Sequence, residues 1–121
     1  MFQTPLKSFR ETHSLEKRTE VAGRIVSKYV DRVPVIVEKA PGDAPDLAKS
    51  KYLVPMGMTV GKFIFELRKH FVGGVSQEKA VFLFVNNILP PTSAQMSYIY
   101  QQYKDPDGFL YLVYASENTF G

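Results

Sequence analysis

The chain has 121 residues, 45% of them hydrophobic, which is enough for one globular domain with a buried core. The absence of cysteine excludes disulfides, thiolate metal sites and a cysteine nucleophile, and the longest apolar runs are too short to span a bilayer. The net charge of +3 arises within residues 1–32, which favours acidic peptides or anionic lipid head groups as partners, although a solvated helix face explains much of it. No nucleic-acid partner is expected, because the chain has no RNA-binding aromatic motif, zinc-ligand spacing or long basic stripe.

The first 32 residues are expected to form two helices. Thr4-Pro5 is typical of a helix cap and a first-turn proline, and predicts a short helix over about residues 5–11. Ser14 can cap a second helix, in which apolar residues recur at three- and four-residue steps up to Tyr29. This spacing predicts an apolar stripe that packs on the rest of the domain.

Two strands are predicted next. The apolar run at 33–37 contains Pro34 near its start and ends at a proline- and glycine-rich break over 41–45. Residues 51–55 predict a second, short strand. Pro55 indicates that this strand lies at a sheet edge, because proline cannot donate a hydrogen bond to a neighbouring strand.

The second half of the chain is also predicted to contain helices and strands. Thr59 is expected to cap a helix that runs to about Phe71 and ends at the glycine pair 73–74. Residues 80–85 predict a buried strand, followed by a turn at 86–87.

A brief extended segment at 88–89, a helix over 96–103, a turn at 105–108 and a last strand at 109–114 complete the pattern. The predicted order is therefore α-α-β-β-α-β-β-α-β. Without the first two helices it is the order of the ubiquitin-like β-grasp, an α+β fold in which the first and last strands pair in parallel at the sheet centre.

The C-terminal residues contrast with the last strand. The aromatic and apolar run at 109–114 must be buried, whereas the polar stretch at 115–119 has nothing comparable to pack with. The sequence then reaches Phe120-Gly121. A terminal glycine lets another protein's active site close around the backbone, since it has no Cβ. The alternative to a reactive terminus is that the glycine has no function and only marks where ordered structure stops. The terminal glycine taken alone favours this alternative.

No catalytic activity, metal or cofactor is expected of the chain itself. His13 and His70 lie far apart in the sequence and outside any metal-binding or nucleophile motif. The serines lack a nucleophile elbow. The segments 57–61 and 73–74 contain glycine pairs but lack the lysine and hydroxyl spacing of a phosphate loop.

Six segments carry a family resemblance: DRVPVIVEKA at 31–40, KYLVP at 51–55, TVG at 59–61, FVNN at 84–87, LPPT at 89–92 and DGFLY at 107–111. They closely resemble the autophagy ubiquitin-like modifiers, the group that contains the GABA-receptor-associated protein and the microtubule-associated light chain. Members are similar to ubiquitin with two additional N-terminal helices. The resemblance implies a helical extension at 1–32, a β-grasp core at 33–115 and a flexible conjugation tail at 116–121, within a single domain.

The resemblance implies that Gly121 is a conjugation point, because in this family a glycine that follows an aromatic residue has that role. An activating enzyme would adenylate its carboxylate, and a conjugating enzyme would carry it as a thioester. The carboxylate would finally form an amide with the amino group of phosphatidylethanolamine. A cysteine protease would process any precursor and reverse the conjugation. The unconjugated chain would be a cytoplasmic monomer. The lipidated chain would occupy the autophagosome membrane.

A second implied function is the docking of extended aromatic-x-x-aliphatic peptides from receptors and adaptors, usually preceded by acidic residues. The edge strand at 51–55 has backbone groups that can accept an added strand. By family correspondence, the aromatic socket comprises Val21, Ile25, Pro34, Ile36, Lys51, Leu53 and Phe109. The aliphatic socket comprises Tyr52, Val54, Pro55, Met58, Phe63 and Leu67, and the acidic flank would face Arg32, Lys49 and Lys51. Ile36 and Phe109 also suit the core, and Lys49 and Lys51 also suit an edge that avoids aggregation.

The chain departs from the family pattern at several positions. Glu66 replaces a usual aliphatic residue near the aliphatic socket, where a desolvated carboxylate opposes binding or selects a polar or basic neighbour. His70 replaces a usual arginine, and gives a weaker and pH-sensitive positive charge. Val21 replaces a common acid beside the aromatic socket, and the 71–78 loop is longer than usual.

Two alternative functions remain open at this point. One is a noncovalent adaptor in trafficking or on microtubules that uses the basic N-terminal helices. The other is conjugation to protein lysines, as ubiquitin performs.

Overall fold

The structure is a computed structural model, and it describes residues 8–42, 44–76 and 79–116. The helices and strands along these residues follow in the order α1 (Phe9–Thr12), α2 (Leu15–Lys28), β1 (Arg32–Lys39), β2 (Lys51–Pro55), α3 (Val60–Leu67), β3 (Val81–Phe84), α4 (Met96–Tyr103) and β4 (Leu110–Ser116). A 3₁₀ turn over Arg68–His70 continues the path of α3.

The strands form one mixed sheet in the order β2-β1-β4-β3. The parallel pair β1 and β4 lies at its centre, with Val35 opposite Leu110, and β2 and β3 pair antiparallel on either side. This arrangement confirms the predicted α+β class, the central parallel pair and the edge position of β2.

Serine and threonine side chains define where the helices begin. The Ser14 hydroxyl accepts a hydrogen bond from Lys17 N, and the Thr59 hydroxyl accepts one from Lys62 N, as the sequence predicted. The first helix differs from the prediction. The predicted cap at Thr4-Pro5 lies outside the described residues, and α1 begins at Phe9 with Ser8 as its cap.

The predicted extended segment at 88–89 does not pair as a strand in the described part of the chain. Asn86 and Asn87 both have positive φ, 49° and 64°, and reverse the chain so tightly that Val85 and Ile88 form an isolated bridge. The helix predicted to reach Phe71 was also too long. Phe71 instead forms an extended bridge with Leu47, so the α-helix ends at Leu67.

Apolar residues cover both faces of the sheet. The larger core lies between one face and the helices α3 and α4, and includes Val35, Val37 and Leu112. The alternating residues of β1 point to the other face, where Ile36 packs with Phe109 and Ala22 under α2. The sheet is therefore the middle layer, with the N-terminal helices on one side and α3 and α4 on the other.

Candidate functional site

The candidate site lies along β2, at the edge of the sheet. Alternate residues of β2 point to opposite faces. Tyr52 and Val54 are buried in the larger core, whereas Lys51 is exposed and Leu53 is half-buried. Lys51 is the register partner of Ile36, and Leu53 that of Pro34, which places these side chains on the face that α2 covers. One strand therefore borders both predicted sockets.

The predicted aromatic socket has a closed floor and a partly open rim. The side chains of Ile36 and Phe109 have 0% exposure, and Val21 and Ile25 of α2 pack against them while remaining partly exposed. Of the other predicted members, Pro34 is buried, Leu53 is half-buried and Lys51 is exposed. The structure thus brings the predicted residues together between α2 and β2, with Ile36 and Phe109 serving as core.

The predicted aliphatic socket centres on the ring of Tyr52. Phe63 of α3 packs edge-on against this ring at 5.7 Å between centroids, and His70 does so at 5.6 Å. The Tyr52 hydroxyl donates a hydrogen bond of 2.8 Å to the Lys49 carbonyl, and burial raises the pKa of Tyr52 to about 12. Met58 and Pro55 are partly exposed beside this cluster, whereas Val54 and Leu67 lie in the core.

Basic side chains lie along the same edge. Arg32, Lys49 and Lys51 are all exposed. The Lys49 ammonium lies 4.8 Å from the centroid of the Tyr52 ring, which is a cation–π distance. The Arg32 guanidinium donates to the Leu53 carbonyl at 3.3 Å, and the second lone pair of this oxygen can still accept a hydrogen bond.

Glu66 belongs to an ion-paired group on the exposed side of α3. Its carboxylate lies 3.2 Å from the ammonium of Lys62 and 3.2 Å from that of Lys69, and these bonds, Lys69 first, lower the pKa of Glu66. The sequence analysis identified Glu66 but missed its two lysine partners. Their spacing of four and three residues on one helix is a signal that would have found them.

Asp107, expected from the sequence only as part of a turn, is a buried carboxylate that fixes the floor of the predicted aromatic socket. Asp107 is 1% exposed. It accepts hydrogen bonds from the Phe109 backbone N–H at 2.8 Å, the Tyr111 hydroxyl at 2.6 Å and Arg18 Nε at 3.0 Å. Burial, followed by the bond to Asp107, raises the pKa of Tyr111. This network ties α2 to the start of β4.

The last strand continues further than the sequence indicated. Ser116, placed by the sequence analysis in the tail, is 5% exposed and is the register partner of Val81 in β3. The predicted conjugation residue Gly121 lies outside the described residues, as do residues 117–120.

The described ranges contain neither a metal site nor a membrane span. Among residues 8–42, 44–76 and 79–116, no three His, Asp or Glu side chains are grouped so that they could hold a metal ion. In the same ranges, no helix combines the length and the apolar character that crossing a membrane requires.

Comparison with known proteins places this geometry in a family. The family model described as "Autophagy protein Atg8 ubiquitin like" matches residues 17–121. Autophagy-related protein 8 of Dictyostelium discoideum is 63% identical over 117 residues, which cover 96% of this chain and 95% of that protein. Autophagy-related protein 8d of Arabidopsis thaliana is 56% identical over 117 residues, with 96% of each chain covered.

Solved structures agree with the sequence comparisons. The crystal structure of Trypanosoma brucei ATG8 has a TM-score of 0.88 and 41% identity, and the match covers 97% of this chain and 100% of that one. Plasmodium falciparum Atg8, solved in complex with a Plasmodium falciparum Atg3 peptide, has a TM-score of 0.80 and 40% identity, with 91% and 96% covered. Members of this family are ubiquitin-like modifiers rather than enzymes, which agrees with the non-enzymatic protein that the sequence predicted. The chain belongs to the Atg8 family of ubiquitin-like autophagy proteins.

Proposed function

We propose that this protein is conjugated through Gly121 to phosphatidylethanolamine and acts in autophagosome formation. The observation that carries the proposal is that the family match extends through residue 121, and so includes Phe120-Gly121. The protein is cytoplasmic before conjugation and lies on the autophagosome membrane afterwards. Its division into a helical extension, a β-grasp core and a C-terminal tail follows the same proposal.

Conjugation needs no catalytic group of this chain. The Gly121 carboxylate attacks the α-phosphate of ATP on an activating enzyme and releases pyrophosphate. A cysteine thiolate of that enzyme displaces AMP to form a thioester. The acyl group then passes to the thiolate of a conjugating enzyme, and the first thiolate is released. The lipid amine attacks the thioester carbonyl, forms an amide and releases the thiol. A relative's structure holds an Atg3 peptide, which supports a conjugating enzyme of that kind as a partner here. A cysteine protease that cleaves after Gly121 completes the expected partners.

The conjugation is tested by incubating the protein with activating and conjugating enzymes, ATP and phosphatidylethanolamine vesicles. The wild-type chain is expected to give a lipidated band on a gel. Gly121→Ala removes the band, because the added methyl group obstructs an active site that closes around a bare backbone. Thr119→Ala is the matched control and keeps the band. An undiminished band with Gly121→Ala contradicts the proposed attachment point.

We infer that the same protein docks extended peptides of the aromatic-x-x-aliphatic class along β2. Support comes from the edge position of β2 and from the two sets of apolar side chains that border it. An added strand bonds to the backbone, while alternate side chains enter the two sockets. Arg32, Lys49 and Lys51 supply positive charge for acidic residues that precede the aromatic anchor.

The burial of the socket residues predicts how the anchors bind. Because Ile36 and Phe109 expose no surface, the aromatic ring must contact the partly exposed rim of Val21, Ile25 and Leu53, or displace that rim. Fully burying one apolar side chain contributes about 1.5–3 kcal/mol. Two anchors of this size, reduced by the cost of ordering a peptide, give binding of moderate strength.

Backbone NMR shifts during titration with such a peptide test the docking. The largest shifts are expected in β2, from Lys51 to Pro55. Leu53→Ala is expected to weaken binding several-fold, because it removes part of the rim. Ile88→Ala is the matched control, because Ile88 is an exposed aliphatic residue, 52% accessible, outside the proposed sockets. Shifts that leave β2 unaffected contradict the docking assignment.

A further inference from the structure

The register of the sheet defines two ends of the molecule. At one end, called here the tail end, β4 finishes at Ser116, which is paired with Val81 at the start of β3. Lys39, the last residue of β1, is paired nearby with Tyr114. The opposite end, called the far end, contains the start of β1, where Arg32 is paired with Pro55 at the end of β2.

The loop that carries Val72 lies beside the end of β4. The ring of Phe71 packs against that of Tyr114 at 5.2 Å between centroids. The next residue, Val72, donates its backbone N–H to the Asp46 carbonyl at 2.8 Å. The Tyr114 hydroxyl donates to the Pro45 carbonyl at 2.7 Å. The adjacent residues Pro45 and Asp46 therefore bond to Tyr114 of β4 and to Val72. Val72 therefore belongs to the tail end.

Val72 is an apolar side chain in an open position. It is 61% exposed. Gly73 and Gly74 follow it with φ of 79° and 77°, and neither has a heavy atom within 4 Å of the place where a Cβ would stand. Of the charged side chains in the neighbouring segments, Asp46 pairs with Lys39 at 3.0 Å and Lys69 with Glu66 at 3.2 Å, whereas the Arg68 guanidinium donates to the carbonyls of Ser76 and Lys79. This end of the protein thus presents an apolar residue together with paired and basic side chains, which suits the head groups of a bilayer.

The length of the connection to Gly121 limits which surface can meet a membrane. Gly121 lies five residues after Ser116 along the chain, a distance that spans at most roughly 18 Å when fully extended. A domain of this length has a radius of gyration of about 14 Å and is roughly 35 Å across. A lipid attached to Gly121 therefore brings the tail end within reach of a bilayer and excludes contact through the far end alone.

We propose that the lipidated protein rests on the phosphatidylethanolamine bilayer through its tail end, with Val72 at the level of the head groups. This proposal rests on the proposed conjugation of Gly121. The strand β2 then runs away from the membrane, from Lys51 at the middle of the sheet, opposite Ile36, to Pro55 at the far end. A docked peptide stands upright on the membrane, with its binding edge open to the cytoplasm. Val72 alone is too small to anchor the unlipidated protein.

The absence of native cysteine allows a direct test. In the variant Gly121→Cys, the thiol adds across the double bond of maleimide-phosphatidylethanolamine in nanodiscs that also contain a gadolinium-chelating lipid. Paramagnetic broadening of the backbone amides then reports proximity to the bilayer. The amides of Val72 and Gly73 are expected to lose most of their intensity, while those of Val30 and Met56 at the far end keep theirs. Equal broadening at both ends, or stronger broadening at the far end, overturns the proposal.

A pair of matched variants tests the role of Val72. Val72→Asp, added to Gly121→Cys, is expected to reduce the broadening at the tail end, because a carboxylate resists transfer from water. Val30→Asp is the control, since Val30 is an equally unpacked valine, 74% exposed, at the far end. Equal effects of the two variants contradict the contact at Val72.

Enzymatic lipidation of the wild-type chain tests the proposed conjugation, and maleimide attachment of the Gly121→Cys variant tests the proposed orientation. The two results can therefore be told apart. If the enzymes fail to lipidate the wild-type chain while the maleimide-linked chain broadens at Val72, the proposed conjugation is wrong and the orientation holds. If the enzymes succeed while the linked chain broadens uniformly, the conjugation holds and the orientation is wrong.

Discussion

At the scale of single residues, Glu66 is a position where the resemblance implied a departure from the family pattern. The sequence suggested a carboxylate that either opposes aliphatic anchors or selects a basic neighbour. The structure shows this carboxylate between two ammonium groups, those of Lys62 and Lys69, so its charge is already compensated. A basic residue in a peptide would have to displace these lysines. Glu66 therefore acts mainly by taking the place of apolar surface.

The first prediction follows from that compensation. Glu66→Leu adds apolar surface beside Phe63 and removes two exposed ion pairs, each of which contributes only about 0–1 kcal/mol to stability. The net gain for an aliphatic anchor is about 1 kcal/mol, or roughly a five-fold lower Kd. Isothermal titration calorimetry measures it, with Glu66→Gln as the neutral but polar control. A Kd that rises with Glu66→Leu contradicts this account and indicates that the carboxylate itself contacts the peptide.

Residue roles were predictable only where they depend on local sequence. Ser14 and Thr59 were correctly identified as caps, because a cap bonds to the turn that follows it. Asp107 was recognised only as part of a turn. Its partner Arg18 is 89 positions away, so no local pattern reveals the bond between them. The residue that holds the socket floor in place was therefore missed.

At the scale of elements, α1 is the helix that depends most on its surroundings. It has four residues, too few for a stable isolated helix. Contacts from Phe9 and Arg10 hold it in place, and they include the Arg10 guanidinium at 3.8 Å from the centroid of the Tyr111 ring. The Phe9 ring packs against Phe109 at 5.2 Å, the Phe9 N–H donates to Glu38 at 2.7 Å, and Arg10 pairs with Asp105 at 2.6 Å.

The second prediction is that Phe9→Ala releases α1 from the domain. The truncation removes the aromatic contacts of the Phe9 ring. The contacts that remain, chiefly the backbone N–H bond to Glu38 and the exposed Arg10–Asp105 pair, are too weak to order four residues by themselves. Hydrogen exchange is expected to show faster exchange at 10–13 with unchanged protection in the sheet. The control is Thr12→Ala, since the Thr12 hydroxyl bonds only locally to Ser8, Phe9 and His13. Unchanged exchange in Phe9→Ala would show that polar contacts suffice.

The elements also show where sequence patterns fail. The edge strand β2 was predicted within its observed bounds, because Pro55 limits pairing by its own chemistry. The predicted C-terminal end of α3 and the predicted brief strand at 88–89 were wrong. Both depend on distant contacts or on successive left-handed residues, namely the Leu47–Phe71 bridge and the Asn86-Asn87 turn. Helical periodicity contains no information about either feature.

At the scale of the whole molecule, buried tyrosines link stability to high pH. Burial raises the pKa of Tyr52 to about 12, and burial followed by the charge of Asp46 raises that of Tyr114 to about 12. Unfolded tyrosine titrates at about 10. Above that pH the unfolded chain loses protons that the folded chain keeps, so ionisation favours unfolding.

The third prediction concerns this alkaline range. The free energy of unfolding is expected to be insensitive to tyrosine ionisation below pH about 10, and to fall as the pH rises from about 10 to about 12. Urea unfolding at successive pH values measures it. Tyr52→Phe, which cannot ionise, is expected to show a shallower fall than the wild type, whereas exposed Tyr98→Phe leaves the slope unchanged. Equal slopes for all three proteins would contradict the assignment to buried rings.

The overall fold was predictable from the sequence, whereas the orientation of its ends was not. The order of elements and the apolar runs at 33–37 and 109–114 together specified the central parallel pair. The position of Val72 at the tail end depends on the register of the sheet and on contacts between loops, such as that of the Val72 N–H with the Asp46 carbonyl. The local pattern of residue types predicts neither the register nor the contacts between loops.

Mass spectrometry of protein recovered from autophagic membranes tests the central claim, conjugation of the terminal glycine, most directly. The account predicts that the C-terminal fragment ending in Gly121 gains the mass of one phosphatidylethanolamine less one water, as an amide requires. It also predicts that Gly121→Ala never carries this mass. A membrane-bound fraction whose C-terminal fragment is unmodified, or is joined to a protein lysine instead of a lipid, would contradict the claim.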